Sequence, residues 1–356
     1  MTRHALVPLS EKSGGFLVCG GLHPQTERSQ GCQIIYPSGQ SRQIHSLVWP
    51  RRLDHTITLG EGDQAYVVGG RDGRLSETSV TDRGKVLYDG LILQLEPEGN
   101  ITSSRMALPP TSWYGHTASW VPSIKEILFL GGVQGNGTLQ MLDRVHLYNP
   151  QTDIWRKERT VWPENIPGPY GLYGHTATFV GDSIVVVGGS TEPPGPPKNQ
   201  STLSFPSSSS SPPSILILNI TTLTWSSPDP QAKTSQTSEW VPSPRVGHTT
   251  TLLWDQRTLL VTWGKHLDRK EIGDKHPYLL DTGSWTFVKD MPRIEMGSEA
   301  GFTTSRSWRV PFLIGSVIVL VLLVSIITCL CFWNRLKRVL FLGKAQKEGN
   351  SFLRIG

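Results

Sequence analysis

A chain of 356 residues with 36 glycines and 26 prolines is long enough for one large or two ordinary domains, and its turn-formers suit many short strands. No stretch of the first 300 residues keeps a helical period for three turns. The formal charge of +5 resides in residues 334–356, where Arg335, Lys337, Arg338, Lys344, Lys347 and Arg354 face Glu348 alone; the rest is neutral overall and lacks the basic excess that a phosphate backbone demands, so nucleic acid is not an expected partner.

In chain order, a first unit opens at His4-Ala5 and continues with Phe16-Leu17-Val18-Cys19-Gly20-Gly21. The next pairs His55-Thr56 with Ala65-Tyr66-Val67-Val68-Gly69-Gly70. The clearest unit runs from Trp113 to Lys157. It holds Tyr114-Gly115-His116-Thr117, then Glu126-Ile127-Leu128-Phe129-Leu130-Gly131-Gly132, then Arg144-Val145-His146-Leu147-Tyr148-Asn149, then Ile154-Trp155-Arg156. Four short apolar runs separated by turn residues such as Asn149-Pro150 read as a four-stranded antiparallel sheet. Alone it would leave both faces wet, so it needs copies of itself. A fourth copy carries His175-Thr176 and Ile184-Val185-Val186-Val187-Gly188-Gly189. A worn fifth carries His248-Thr249 and Leu259-Leu260-Val261-Thr262-Trp263-Gly264, with tryptophan in place of the first glycine. Repetition every roughly 50 to 70 residues points to a propeller, each repeat being one blade.

The His-Thr strand, the Gly-Gly ending of strand two, the tyrosine or leucine of strand three and a tryptophan opening strand four resemble the kelch repeat. Trp155, Trp225 and Trp285 are assigned the last role, and the first two repeats lack it. The resemblance covers about residues 3 to 290 and implies an all-β, kelch-type β-propeller with five visible blades, at 3–50, 51–97, 111–159, 170–227 and 244–290. Residues 1 to 15 show no secretory leader, and the chain opens almost inside its first repeat. One expectation is a late start, with a leader and part of a blade lost. The other is a complete five-bladed ring closed by side-chain packing.

Cys19 and Cys32 flank the first connection between strands two and three. A disulfide across neighbouring strands and two buried thiols are both compatible with that placement. Residues 190–213 form a Pro/Ser-rich insertion that cannot bury a core, and residues 226–244 a second Ser/Pro/Thr-rich link. Four sequons begin at Asn100, Asn136, Asn199 and Asn219, the first three at turn-like or inserted positions where glycans fit.

After a juxtamembrane linker at 291–311, residues 312–333 carry no charge from Phe312 to Trp333. As a helix they would span roughly 33 Å, enough for a bilayer core of about 30 Å. Arg335, Lys337 and Arg338 then favour a cytosolic tail at 334–356, with the propeller extracellular or luminal. Cys329 and Cys331 are candidate palmitoylation sites at the cytosolic end of the span. The competing topology is a tail-anchored protein with a cytosolic propeller, an adaptor in the manner of many kelch proteins.

The kelch architecture is shared with galactose oxidase, so a copper enzyme, or a relic of one, is a further alternative. Its chemistry needs tyrosine and histidine ligands and a cysteine joined to a tyrosine, and no matching motif surrounds the cysteines here. His55, His116, His175 and His248 recur one per blade. They are expected to bond backbone at the start of each inner strand rather than to hold metal. No nucleophile elbow, phosphate-cradling loop or His-Glu-x-x-His is present. The expectation is therefore a non-catalytic module without a cofactor, anchored by one span, binding a protein or carbohydrate ligand through its blade-connecting loops.

Overall fold

The computed structural model describes residues 2–9, 15–22, 31–44, 52–72, 85–95, 101–166, 168–192, 213–228, 245–266 and 277–288. The expected span at 312–333, the linker and tail beside it, Cys329, Cys331, Asn100 and Asn199 lie outside them. Among the described residues no helix is long and apolar enough to cross a membrane.

Five four-stranded antiparallel sheets follow one another, each with its strands in sequence order. The first sheet is Thr2–Pro8, Phe16–Leu22, Cys32–Ile35 and Ser41–Ile44, and the second Thr56–Leu59, Gln64–Val68, Gly90–Leu95 and Ile101–Arg105. The third is Thr117–Val121, Glu126–Leu130, Arg144–Asn149 and Ile154–Arg159, and the fourth Thr176–Val180, Ser183–Val187, Ile215–Asn219 and Trp225–Ser226. The fifth is Thr249–Leu252, Thr258–Thr262, Tyr278–Asp281 and Thr286–Val288. This is a five-bladed β-propeller.

The second strands of the middle three sheets are continuous apolar runs because those sheets are covered on both faces. In the fourth sheet, Ile184 and Val186 join a cluster with Leu128, Leu130 and Leu147 of the third. Val185 and Val187, one residue out of phase, join Leu259 and Val261 of the fifth. The same alternation sets Ala65 and Val67 against Leu17 and Cys19 of the first sheet, and Tyr66 and Val68 against Ile127 and Phe129 of the third. Four apolar seams therefore join consecutive sheets. Among the described residues no such cluster joins the fifth sheet to the first, and Leu6 and Phe16 on the first sheet are exposed.

Tryptophan at the fourth strand anchors two of the seams. Trp225, opposite Leu218, is fully buried, and its indole N–H donates to Leu142 O and Thr160 Oγ1, both at 3.0 Å. Trp155 holds the equivalent place opposite Tyr148 and donates to Ala107 O. In the fifth sheet the register corrects the sequence reading: Leu280 faces Phe287, so Phe287 fills this role. Trp285 sits two residues earlier, in the turn, with a φ of 57°. A second correction concerns the limit at residue 97. The second sheet takes its outer strand from Ile101–Arg105, so the Pro97-Glu98-Gly99 run separates strands three and four of one blade rather than two blades.

Candidate functional site

The recurring histidine is spent on holding one sheet to the next. His116 Nε2 shares a hydrogen bond with Thr56 Oγ1 of the preceding sheet at 3.1 Å, His175 Nε2 with Thr117 Oγ1 at 3.1 Å, and His248 Nε2 with Thr176 Oγ1 at 3.0 Å. For His116 and His175 the expected backbone partner thus gives way to a hydroxyl across the seam, whereas His248 also bonds the backbone of Val187. Each ring also lies on the first glycine of the preceding Gly-Gly pair. A Cβ on Gly20, Gly69, Gly131 or Gly188 would stand 2.5–3.2 Å from Cε1 of His55, His116, His175 or His248, respectively. The histidine, the threonine after it and the glycine pair therefore make one joint with parts on two sheets. Between the first and second sheets the glycine remains, but Ala5 stands where the threonine would.

A second chain of bonds runs through the residue before each histidine. The N–H of Gly115 donates to Asp54 O at 2.8 Å, that of Gly174 to Gly115 O at 3.1 Å, and that of Gly247 to Gly174 O at 2.8 Å. All four residues hold a left-handed φ between 54° and 66°. Three residues before the histidine, Arg52 is fully buried; it donates to Gly69 O at 3.0 Å and pairs with Asp89 at 2.8 Å. Burial lowers the Arg52 pKa against the pull of Asp89. Arg245 repeats the pattern in the fifth sheet, donating to Trp263 O at 3.0 Å.

Burial keeps these histidines neutral. It lowers the pKa of His116 well below 6.5, that of His175 to about 3, and those of His248 and His146 to about 4. Nδ1 of His116 and of His175 meets no hydrogen-bonding partner among the described residues, so a second proton there would be left unsatisfied. Among the described residues no three His, Cys, Asp or Glu side chains converge in a manner that could hold a metal ion.

The joint changes at the fifth sheet. Trp263 replaces the first glycine at a φ of 58° and is 64% exposed. Thr249, the next threonine in the series, bonds Thr262 of its own sheet at 2.7 Å. A following histidine has no glycine to rest on there.

Cys19 and Cys32 face each other across strands two and three of the first sheet, and their Sγ atoms are bonded. Asn136 is exposed in the Gly135–Thr138 turn, where its Oδ1 accepts from Thr138 N at 3.0 Å and from Thr138 Oγ1 at 2.7 Å. Asn219 is half-buried, and its amide nitrogen donates to Asp182 at 3.0 Å. The Asp281–Trp285 segment is a hairpin turn: Asp281 accepts from Gly283 N and Ser284 Oγ, and its bonds to Arg257 first of all hold its pKa at about 2.

Two clefts open between the second and third sheets, at opposite ends of their strands. One, of about 480 Å³, lies among the turns joining strands one to two and three to four, where Asp63, Gln64, Tyr66, Gln94, Trp120 and Gln151 meet. The other, of about 450 Å³, is lined by Lys85, Ser112, Tyr114 and Gln134, with Gly135 and Gly137 on either side of Asn136. Sequence reasoning reached neither cleft. Their residues come from turns of two blades, and only the stacking of blades brings them together.

Five blades of one repeat, with a histidine of the second to fifth each lying on a glycine of the blade before it, define a kelch-type propeller. Residues 54–310 match the KLHDC2/KLHL20/DRC7 Kelch-repeats domain, and the chain belongs to this kelch-repeat family. It is also similar to the Rho GTPase-activating protein gacHH of Dictyostelium discoideum, 25% identical over 187 residues, or 52% of this chain. The chain spans 10% of the length of that relative.

Proposed function

We propose that this kelch propeller is a non-catalytic binding module, held at a membrane by the 312–333 span with its blades on the extracellular or luminal side. The observation that carries the reading is the use of the repeated histidines: His116, His175 and His248 are each consumed by a threonine and a glycine of the neighbouring blade. The polar residues left to meet a ligand, a protein or a glycan, are those of the turns. The Cys19–Cys32 bond speaks against the copper alternative, because neither sulfur is free to join a tyrosine. The uncharged run and the basic residues after it favour a cytosolic tail, with Cys329 and Cys331 as the sites for acylation there.

Glycosylation separates this topology from a cytosolic adaptor. In the protein isolated from its native membranes, an N-glycosidase is expected to shift the band, and Asn136→Gln to abolish one step of that shift. Asn219→Gln is expected to change little, since its nitrogen is already held by Asp182. A band unmoved by the enzyme would place the propeller in the cytosol and end the luminal reading.

A further inference from the structure

The cleft among the turns of the second and third sheets has a composition of its own. Its wall contains two aromatic side chains, the buried Tyr66 and the half-buried Trp120. Beside them runs a fixed line of amides: Tyr66 Oη donates to Gln64 Oε1 at 2.5 Å, and Gln64 Nε2 donates to Gln94 Oε1 at 3.1 Å. Gln94 Nε2 in turn reaches Asp63 O at 3.4 Å. These bonds set the directions of both amides and still leave each glutamine an N–H and a lone pair. Asp63 and Gln151, both exposed, add a carboxylate and a free amide. The only cation in the lining, Lys125, is paired with Glu61 at 3.1 Å.

Each property narrows the ligand. A phosphate or an acidic peptide would need an unneutralised cation, which the lining lacks. An apolar peptide anchor would need a deep apolar pocket, whereas Glu61, Asp63, Gln64, Gln94 and Gln151, half of the residues in this wall, carry an amide or a carboxylate. Adjacent hydroxyls match it, since each can donate to a carboxylate or amide oxygen and accept from an amide N–H at once. An aromatic face beside such groups suits the C–H side of a sugar ring.

We propose that this cleft binds a neutral saccharide, its hydroxyls meeting Asp63, Gln151 and the Gln64–Gln94 pair while its C–H face lies against Trp120. The assignment rests on the binding-module reading and narrows it to one ligand class and one end of the blades.

The test uses the full chain in lauryldimethylamine oxide micelles, since sugar-headed detergents would compete for the site. An array of neutral, acidic and sulfated oligosaccharides identifies the probe, which is then titrated by saturation-transfer NMR. A neutral oligosaccharide is expected to bind, with its dissociation constant raised tenfold or more by Asp63→Ala combined with Gln151→Ala. Both residues are exposed, so the variant keeps its fold. Lys85→Ala, in the other cleft, is expected to leave the affinity unchanged. Absence of any neutral binder, or binding indifferent to the double substitution, overturns the assignment. A displayed peptide whose capture the double substitution abolishes also overturns it, while sparing the binding-module reading. Failure of both saccharides and peptides to bind at either end would overturn both.

Discussion

Lowering the pH of the full chain in micelles from 7 to 4 is expected to unfold the propeller before most of its carboxylates take up protons. His116, His175 and His248 ionise near 6.5 when exposed, whereas burial holds them well below that value, to about 3 and about 4 in the latter two. Because the folded pKa values are depressed, the stability they contribute is fully present above pH 6.5. It is lost as the pH falls, because the unfolded chain takes up protons that the folded one refuses. Each such group contributes a slope of about 1.4 kcal/mol per pH unit, so three together give roughly 4 kcal/mol per unit around pH 5. Against a net stability of about 5–15 kcal/mol, that slope brings the transition into this window. Urea unfolding at a series of pH values checks it. The midpoint should be flat above pH 7 and drop steeply between 6 and 4; a midpoint constant down to pH 4 would mean that the histidines are not sealed in the seams.

The second large effect is expected at Gly131. A methyl group there would stand 2.5 Å from Cε1 of His175 and 2.7 Å from Leu172 O, on a backbone with a φ of +59°. The left-handed conformation alone costs a non-glycine residue about 1–2 kcal/mol. Pushing the next blade's histidine off its seat adds an overpacking cost of about 1–3 kcal/mol. Gly131→Ala should therefore destabilise the fold by about 3 kcal/mol or more. Gly181→Ala supplies the control. Its φ is +63°, nothing lies within 4 Å of the added carbon, and only the conformational cost remains. Equal losses in the two variants, measured by urea unfolding, would show that the glycine serves the turn and not the joint.

Much of the fold was legible because a sheet covered on both faces writes a continuous apolar run. Ile184-Val185-Val186-Val187 and Glu126-Ile127-Leu128-Phe129-Leu130 each end in the glycine pair that the next histidine requires. What the pattern could not carry was register. Trp285 lies four residues after Asp281, whereas Trp155 and Trp225 lie six after Asn149 and Asn219, and only strand pairing makes that difference visible. The boundary at residue 97 failed for a related reason, since a proline and a glycine mark a turn without saying whether it lies within a sheet or between sheets. The joint itself was half legible. The His-Thr pair was seen, but the two residues serve opposite seams: His116 reaches back to Thr56, while Thr117 reaches forward to His175. The cleft of Gln64, Gln94 and Trp120 left no mark in the sequence, because its residues are scattered over two blades.

A double-mutant cycle on Thr117 and His175 tests most directly whether the histidine of one blade is bound by the threonine of the blade before it. Thr117→Val, His175→Phe and the double variant are to be compared by urea unfolding. Their effects should fall short of additivity by about 1 kcal/mol, the net worth of a buried hydrogen bond. Losses that simply sum would mean that the two side chains act independently, and the shared joint would have to be abandoned.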